Sequence, residues 1–277
     1  MSEQSSPWRG RRILITGCTG FLGSAVAQEL FARGAEVVGL VHERPAHDVF
    51  GEAGGGRVHL VRGRADNVFR LHSAMAVHEV AAVFHLATAS PFEEDRATPA
   101  LLQAVKLYSR RVPVVTARPL SPLSLTRTEE LREDRLTVAR FGELFGPGDR
   151  KLSRVVPATA LALHSGDAVT PAEAPARDFV FVRDAARACL FAAEHAAAAG
   201  PGDHSFRSGW VMTDRQMASA LRDAFAGRTV EAPDTAPPAN PFDWKPVQTL
   251  REALSDTLAW YQAFAQAGRA EGIRAAA

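Results

Sequence analysis

Cysteine is nearly absent from this chain of 277 residues, with only Cys18 and Cys189 present. Two cysteines far apart exclude a disulfide framework and a cysteine-built metal cluster. Tyrosine is equally scarce, at two residues, Tyr108 and Tyr261. Any chemistry that relies on a phenol as proton carrier therefore has very few positions to choose from. No excess charge of either sign exists, since Lys and Arg total 32 against 31 for Asp and Glu. That balance excludes nucleic acid or an anionic membrane as the main partner. No apolar run is long enough to span a bilayer, and Met1–Arg12 lacks the apolar stretch of a secretory signal. A cytoplasmic protein is the expectation. His, Cys and carboxylate spacings form no ligand set, so no metal is expected.

What the chain does have is alternation. The apolar run Ile13-Leu14-Ile15 is followed by Thr16-Gly17-Cys18-Thr19-Gly20-Phe21-Leu22-Gly23, and then by the helix-like Ser24–Arg33. A buried strand turning through glycines into a helix sets backbone N–H groups and a helix N-terminus against a pyrophosphate. Strands are then expected at Glu36–Val41, Val58–Val61, Ala81–Leu86, Val112–Thr116 and Leu136–Phe141. Helices are expected at Val68–Val77 and at Thr98–Tyr108, where Pro99 suits a first turn. Arg127–Arg135 reads as a charged helical piece with a solvated face. This βα alternation predicts an α/β fold with a parallel sheet. Beyond Gly146-Pro147-Gly148 the pattern changes. Val155–Ser165, Asp184–Ala199 and Thr249–Ala265 read as helices, and Asp178–Val182 as a strand expected to return to the sheet. The proline-rich Ala232–Pro241 reads as a connector.

Several stretches, taken in order, resemble the extended short-chain dehydrogenase/reductases of the NAD-dependent epimerase/dehydratase, nucleotide-sugar type. They are Thr16–Gly23, Val83-Phe84-His85-Leu86-Ala87, Phe145-Gly146-Pro147-Gly148-Asp149, Ser153-Arg154-Val155-Val156-Pro157, Arg177-Asp178-Phe179-Val180-Phe181-Val182, and Trp244-Lys245-Pro246 with Leu258-Ala259-Trp260-Tyr261. The resemblance implies a Rossmann-like doubly wound parallel sheet with a smaller C-terminal substrate lobe. Residues 1–145 would be the NAD(P)-binding domain and 146–277 the substrate lobe, with 178–199 returning to the Rossmann sheet. It implies NAD or NADP as cofactor and a nucleotide-sugar or related small molecule as substrate. A homodimer, or a heterodimer with an active paralogue, would be consistent with the family. Cofactor contacts would fall on Thr16, Gly17, Thr19, Gly20, Phe21, Leu22, Gly23, Leu86 and Ala87, and substrate contacts on Arg154, Arg177 and Glu143.

The family's acid–base pair is Tyr-x-x-x-Lys, with positions four apart sharing one helix face. Here Ser121-Pro122-Leu123-Ser124-Leu125-Thr126-Arg127 places Leu123 at the tyrosine and Arg127 at the lysine. Leucine cannot take a proton, and arginine differs from lysine in shape and donor geometry. The connection from Thr116 to Leu123 and the stretch from Ala87 to Glu94 are both short for the family. Val41 or His42 stands at the family's ribose-gripping acid, so His42 and Arg44 fit a 2′-phosphate as readily as a plain ribose. Arg64 stands at the acid set against the adenine, Glu94 at an asparagine, and Glu143 at the asparagine that meets the substrate phosphate. A carboxylate there would repel a diphosphate.

Two functions follow. One is an epimerase/dehydratase-like enzyme with impaired or altered activity, using a non-standard proton donor such as His85 or a bound water, while Thr116 could hydrogen-bond a ligand or equally satisfy backbone at a strand end. The other is a non-catalytic relative that binds a dinucleotide or a protein partner. His85 and the turn residue Cys18 also have plain structural readings, as a core histidine and a small turn filler.

Overall fold

The structure is a computed structural model, and it describes residues 6–42, 50, 54–87, 91–108, 112–120, 136–171, 173–199, 201–233, 235 and 239–270. They form two compact units: residues 1–140 with 185–205, and 141–184 with 206–277.

The first unit carries strands β1 (Arg12–Thr16), β2 (Glu36–Val41), β3 (Val58–Arg62), β4 (Ala82–His85), β5 (Val114–Pro119) and β6 (Leu136–Phe141). Its helices are α1 (Phe21–Ala32), α2 (Val68–Val77) and α3 (Pro91–Tyr108). A seven-stranded sheet runs β3-β2-β1-β4-β5-β6, closed by a later strand, Asp203–Phe206. Pairing is parallel across β3, β2, β1, β4 and β5. The chain runs outward from β1 to β3 and then returns to place β4 on the other side of β1, with Thr16 opposite His85. That reversal is where a doubly wound sheet opens a crevice at its carboxyl edge. Strands buried on both faces need continuous apolar runs rather than alternation, and β1 and β2 have them. On one side Leu14, Val38, Val83 and Val114 pack with Leu71 and Met75 of α2 and Leu101 and Val105 of α3. Helix α1 packs on β1 and β2 through Val26, Leu30 and Phe31, outside that cluster. This is the parallel α/β sheet that the alternation predicts, in the Rossmann-like form that the resemblance implies.

Some expected boundaries shift. Helix α3 starts at Pro91, so Pro99 sits inside it rather than in its first turn. Pro91 itself occupies the first helical position, where a missing N–H costs nothing. Strand β5 ends at Pro119 rather than Thr116. The expected helix Arg127–Arg135 lies outside the described residues.

The second unit holds a three-stranded sheet. Strand β7 (Glu143–Phe145) pairs in parallel with β8 (Arg177–Phe181), which pairs antiparallel with β10 (Val211–Met212). The expectation that Asp178–Val182 returns to the large sheet is therefore corrected. A run such as Asp-Phe-Val-Phe-Val declares a buried strand but not which sheet buries it. Helix α5 (Val182–Ala199) follows β8 directly, and its residues from Ala185 belong to the first unit. The closing strand of the large sheet, Asp203–Phe206, is β9. Helices α4 (Val155–Ser165), α6 (Asp214–Phe225) and α7 (Leu250–Ala270) pack against one another. They enclose Phe145, Phe179, Phe181, Trp210, Met217, Leu221, Leu254 and Tyr261. Among the described residues no helix is long and apolar enough to cross a membrane.

Candidate functional site

The turn after β1 is shaped by three glycines with three different roles. Gly17 has φ +72°, and a Cβ built on it would lie 2.7 Å from Ala87 N and from the Leu86 carbonyl. Only glycine tolerates both the left-handed backbone and that approach. A Cβ on Gly23 would lie 2.0 Å from Gly17 O, so helix α1 can seat against the turn only without a side chain there. Gly20 is different: a Cβ on it would meet nothing but Gly17 O, at 3.2 Å. Gly20 donates its N–H to Gly17 O at 3.0 Å and serves as N-cap of α1 with no side-chain cap. The first turn of α1 also contains no acidic residue. An uncapped, acid-free helix start that carries no side chain at Gly20 is a cradle for an anion. The residues present therefore fit a dinucleotide pyrophosphate. Thr19 and Gly20 are exposed, and Phe21 and Leu22 half-buried, beside it. Leu86 follows β4 and donates its N–H to Thr16 O at 3.0 Å, which ties the Leu86-Ala87 segment to the turn.

Cys18 faces inward. Its Sγ fills the space that Gly39 of β2 leaves open, 2.8 Å from where a Cβ would stand. Burial pushes its thiol up to about 11, so it is no nucleophile. His42 is exposed directly after β2. Arg64 follows β3 and makes a two-pronged pair with Asp66, at 3.0 and 2.9 Å. The arginine holds the Asp66 carboxyl below its usual range.

At the carboxyl ends of β1 and β4 lies a chain of buried polar groups. Ala87 N donates to Thr16 Oγ1 at 3.3 Å, and Thr16 Oγ1 lies 2.7 Å from His85 Nδ1. His85 Nε2 is 3.2 Å from Thr98 Oγ1, which also accepts from Arg118 at 3.5 Å. Thr16 Oγ1 and Thr98 Oγ1 thus each share one hydrogen bond with the imidazole, one at each ring nitrogen. His85 is fully buried, and burial first, then the nearby Arg118 charge, lower its pKa to about 3. The imidazole is thus neutral near pH 7 with both nitrogens engaged. Thr116 Oγ1 donates to the His85 carbonyl at 3.0 Å and is itself fully buried. Nothing in this chain offers a free proton acceptor. Burial chiefly, and next the charge of Arg140, pull Arg118 down to about 10, still cationic at neutral pH.

In the second unit, Arg154, Arg177 and Glu143 come together as one row of charges. Glu143 Oε1 lies 3.3 Å from Arg154 Nε, and its Oε2 3.6 Å from Arg177 Nε. Two residues that sequence reasoning missed complete the row. Asp149 Oδ2 meets Arg154 Nη1 at 3.2 Å, and Asp214 Oδ1 meets Arg177 Nη2 at 2.7 Å. The Arg177 guanidinium also sits over the Phe179 ring, 4.8 Å from its centroid. Asp149 is buried, and Tyr261 donates to its backbone carbonyl at 2.6 Å. The position of Asp149 in the Phe145–Asp149 stretch was legible, but its partner was not. Asp214 stands in the first turn of α6, where a helix start favours a carboxylate.

Of the two tyrosines, Tyr108 is buried and donates to Val80 O at 3.2 Å. Burial raises the Tyr261 phenol far above its ordinary value. Neither is poised as a base. Leu123, Arg127 and Arg44 lie outside the described residues. Among the described residues no His, Cys and carboxylate group could hold a metal ion.

A model of the NAD dependent epimerase/dehydratase family matches residues 13–107 and 125–205, more than half of the chain. The unmatched segment between the two stretches contains Leu123. No curated protein sequence matches the chain. Solved structures share the fold. One is UDP-N-acetylglucosamine 4-epimerase from Methanobrevibacter ruminantium in complex with UDP-N-acetylmuramic acid, with TM-score 0.74 and 17% identity over 92% of this chain and 99% of that one. Another is the Bordetella bronchiseptica enzyme WbmH in complex with NAD+, with TM-score 0.71 and 19% identity over the same shares. A third, dTDP-glucose 4,6-dehydratase from Bacillus anthracis in complex with NAD, has TM-score 0.72 and 16% identity over 92% and 97%.

Proposed function

The chain belongs to the NAD dependent epimerase/dehydratase family, and from that premise we propose that it binds NAD or NADP while its chemistry on a small molecule is impaired or altered. The observation that carries the reading is the cradle at Gly20: an uncapped helix start, free of acids, with no side chain at its cap. The amides at the start of α1 would hold the pyrophosphate, with Thr16, Gly17, Thr19 and Leu86-Ala87 shaping the turn around it. By resemblance His42 and Arg44 stand at the family's ribose-gripping position and would fit a 2′-phosphate as readily as a plain ribose, and Arg64 stands at the acid set against the adenine. When bound, the dinucleotide supplies a hydride acceptor or donor.

The proposal of impaired or altered activity rests on what would accept the proton. Leucine occupies the tyrosine position at 123 and arginine the lysine position at 127. His85 is neutral, buried and engaged at both nitrogens, and the Thr116 hydroxyl is given to a backbone carbonyl. In this reading the first unit serves the dinucleotide and the second serves the substrate, a nucleotide-sugar or a related small molecule. The engagement of both His85 nitrogens and of the Thr116 hydroxyl supports a second reading, a non-catalytic relative that binds a dinucleotide or a partner protein, including a second copy or an active paralogue.

Purified protein should release a dinucleotide identifiable by absorbance and mass spectrometry, or take up added NAD or NADP. A panel of nucleotide-sugars with oxidised and reduced cofactor then separates the two readings: any turnover selects the enzyme, and bound cofactor without turnover selects the silent relative. A well-folded protein that neither retains nor takes up a dinucleotide refutes the enzyme reading and the dinucleotide-binding form of the second.

A further inference from the structure

Three polar side chains, at the ends of β1 and β4 and within α3, are shut away from water: Thr16, His85 and Thr98 are each 0% exposed. Burying an imidazole costs free energy that an apolar side chain in its place would not, so the bonds it makes must account for it. It makes one at each ring nitrogen, 2.7 Å to Thr16 Oγ1 and 3.2 Å to Thr98 Oγ1. Thr16 and His85 are also register partners across the parallel β1–β4 pair. Bonds on opposite sides of the ring fix its orientation, and a satisfied buried network of this kind is rigid. The Thr16 oxygen that meets Nδ1 also accepts from Ala87 N at 3.3 Å, and the Thr16 carbonyl accepts from Leu86 N at 3.0 Å. Gly17, the next residue, lies so close to this segment that a Cβ on it would stand 2.7 Å from Ala87 N and from the Leu86 carbonyl. No slack separates the two, so a shift of Leu86-Ala87 shifts the glycine turn.

We propose that His85 is a positioning residue: by holding Thr16 Oγ1 toward Ala87 it fixes the glycine turn in the shape that receives a dinucleotide pyrophosphate. The inference rests on the reading that this turn holds NAD or NADP. His85 acts through Thr16 and touches no reacting atom. Nδ1 is the working nitrogen, because it meets the threonine that ends β1 and opens the turn. Nε2 is tied to Thr98 of α3, whose hydroxyl oxygen also accepts from Arg118 of β5 at 3.5 Å. The His85 backbone is anchored as well, its carbonyl receiving the Thr116 hydroxyl of β5 at 3.0 Å. Three strands and one helix thus converge on the residue that precedes Leu86-Ala87. The hydrogen-bonding capacity that a proton-transfer role would need is spent on shape.

The test uses the full chain and two substitutions at one position. Asparagine sets an amide atom near the place of Nδ1, so H85N keeps the Thr16 bond; glutamine sets one near Nε2, so H85Q keeps only the Thr98 bond. Wild type, H85N, H85Q, T16V and T16V/H85Q are compared by two measurements. One is hydrogen exchange of the Ala87 amide, followed by NMR without cofactor. The other is calorimetric titration with NAD and with NADP. H85Q is expected to speed Ala87 exchange and to weaken dinucleotide binding by about fivefold each, as loss of one hydrogen bond gives. The amides of α2 should exchange as in wild type. H85N should stay within about threefold of wild type in both measurements. T16V/H85Q should be no worse than T16V, because effects that pass through one contact do not add. H85Q matching wild type, H85N and H85Q losing alike, additive losses in the double variant, or faster exchange spread through α2 each overturn the proposal. Should neither His85 variant fold, T16V decides. Unchanged Ala87 exchange and affinity overturn the proposal, and loss of both with α2 unaffected supports it. Wild type that binds dinucleotide, with H85Q equal to it, refutes this inference alone. Wild type that binds none, while Ala87 is protected and H85Q loses that protection, refutes the cofactor reading alone.

Discussion

Gly17 and Gly20 lie three residues apart in one turn, yet the same substitution at each should do opposite things. Gly17→Ala forces alanine to φ +72°, which costs about 1–2 kcal/mol. Its methyl would also stand 2.7 Å from Ala87 N and the Leu86 carbonyl. Those are backbone atoms of the segment after β4 and cannot rotate away, so overpacking adds about 1–3 kcal/mol. A total near 3 kcal/mol lowers the melting temperature by roughly 6–12 °C. Gly20→Ala keeps an ordinary backbone, φ −78°, and meets only Gly17 O at 3.2 Å. Its stability cost is that of a poor N-cap, under about 1 kcal/mol. The methyl, however, enters the space before the amides of α1, so NAD or NADP affinity should fall at least about tenfold, equivalent to about 1.4 kcal/mol. Thermal melts followed by circular dichroism and a calorimetric dinucleotide titration check the two halves. The reasoning is refuted if the Gly17 variant melts with wild type, or if the Gly20 variant binds dinucleotide unchanged.

Three further outcomes follow from buried groups. The folded-state pKa of His85, about 3, is below its ordinary 6.5, so the unfolded chain binds more protons between those values. Stability from this residue is complete above pH 6.5 and is lost as pH falls toward 3, at up to about 1.4 kcal/mol per pH unit. Urea unfolding across pH 7 to 4 should thus show a shallower acid loss in His85→Leu than in wild type, and equal slopes would count against it. Asp203 grips the fully buried Arg140 with two bonds of 2.6 and 2.7 Å, so Asp203→Ala should cost about 2–3 kcal/mol in the same assay, allowing for the half-exposed carboxylate. Cys18 and Cys189 are both buried, and burial raises their thiols to about 11 and about 12; native protein should show no reaction with a thiol reagent until denaturant is added, and rapid native labelling would contradict their placement.

Much of the first unit was legible because its signals are local. A strand, three glycines and a helix within some twenty residues carry their own geometry, since positive φ and close approach constrain the residue type directly. Other local signals were present but unread. Thr213 and Gln216 form a capping box ahead of Met217, Ala218 and Leu221, which marks the start of α6. The place of Gly39 in β2 is explained only by tertiary structure, because Cys18 Sγ stands where its Cβ would be. Strands β7 and β10 are too short to announce themselves by periodicity, and the sheet to which β8 belongs depends on them.

The order of elements, the glycine turn and the replacements at positions 123, 127 and 143 are properties of the sequence alone. They are written in residue type and short spacing, and no distant contact changes them. What the charged and titratable residues can do was decided by tertiary structure. His85 was titratable in principle, and Thr16 and Thr98, brought in from β1 and α3, made it a neutral link in a buried chain. Arg154 and Arg177 were candidate anion holders, and Glu143, Asp149 and Asp214 claimed them from three other positions. A side chain's charge and hydrogen-bonding capacity are set by its covalent structure, but whether that capacity is free or spent depends on partners that only the fold brings within 4 Å.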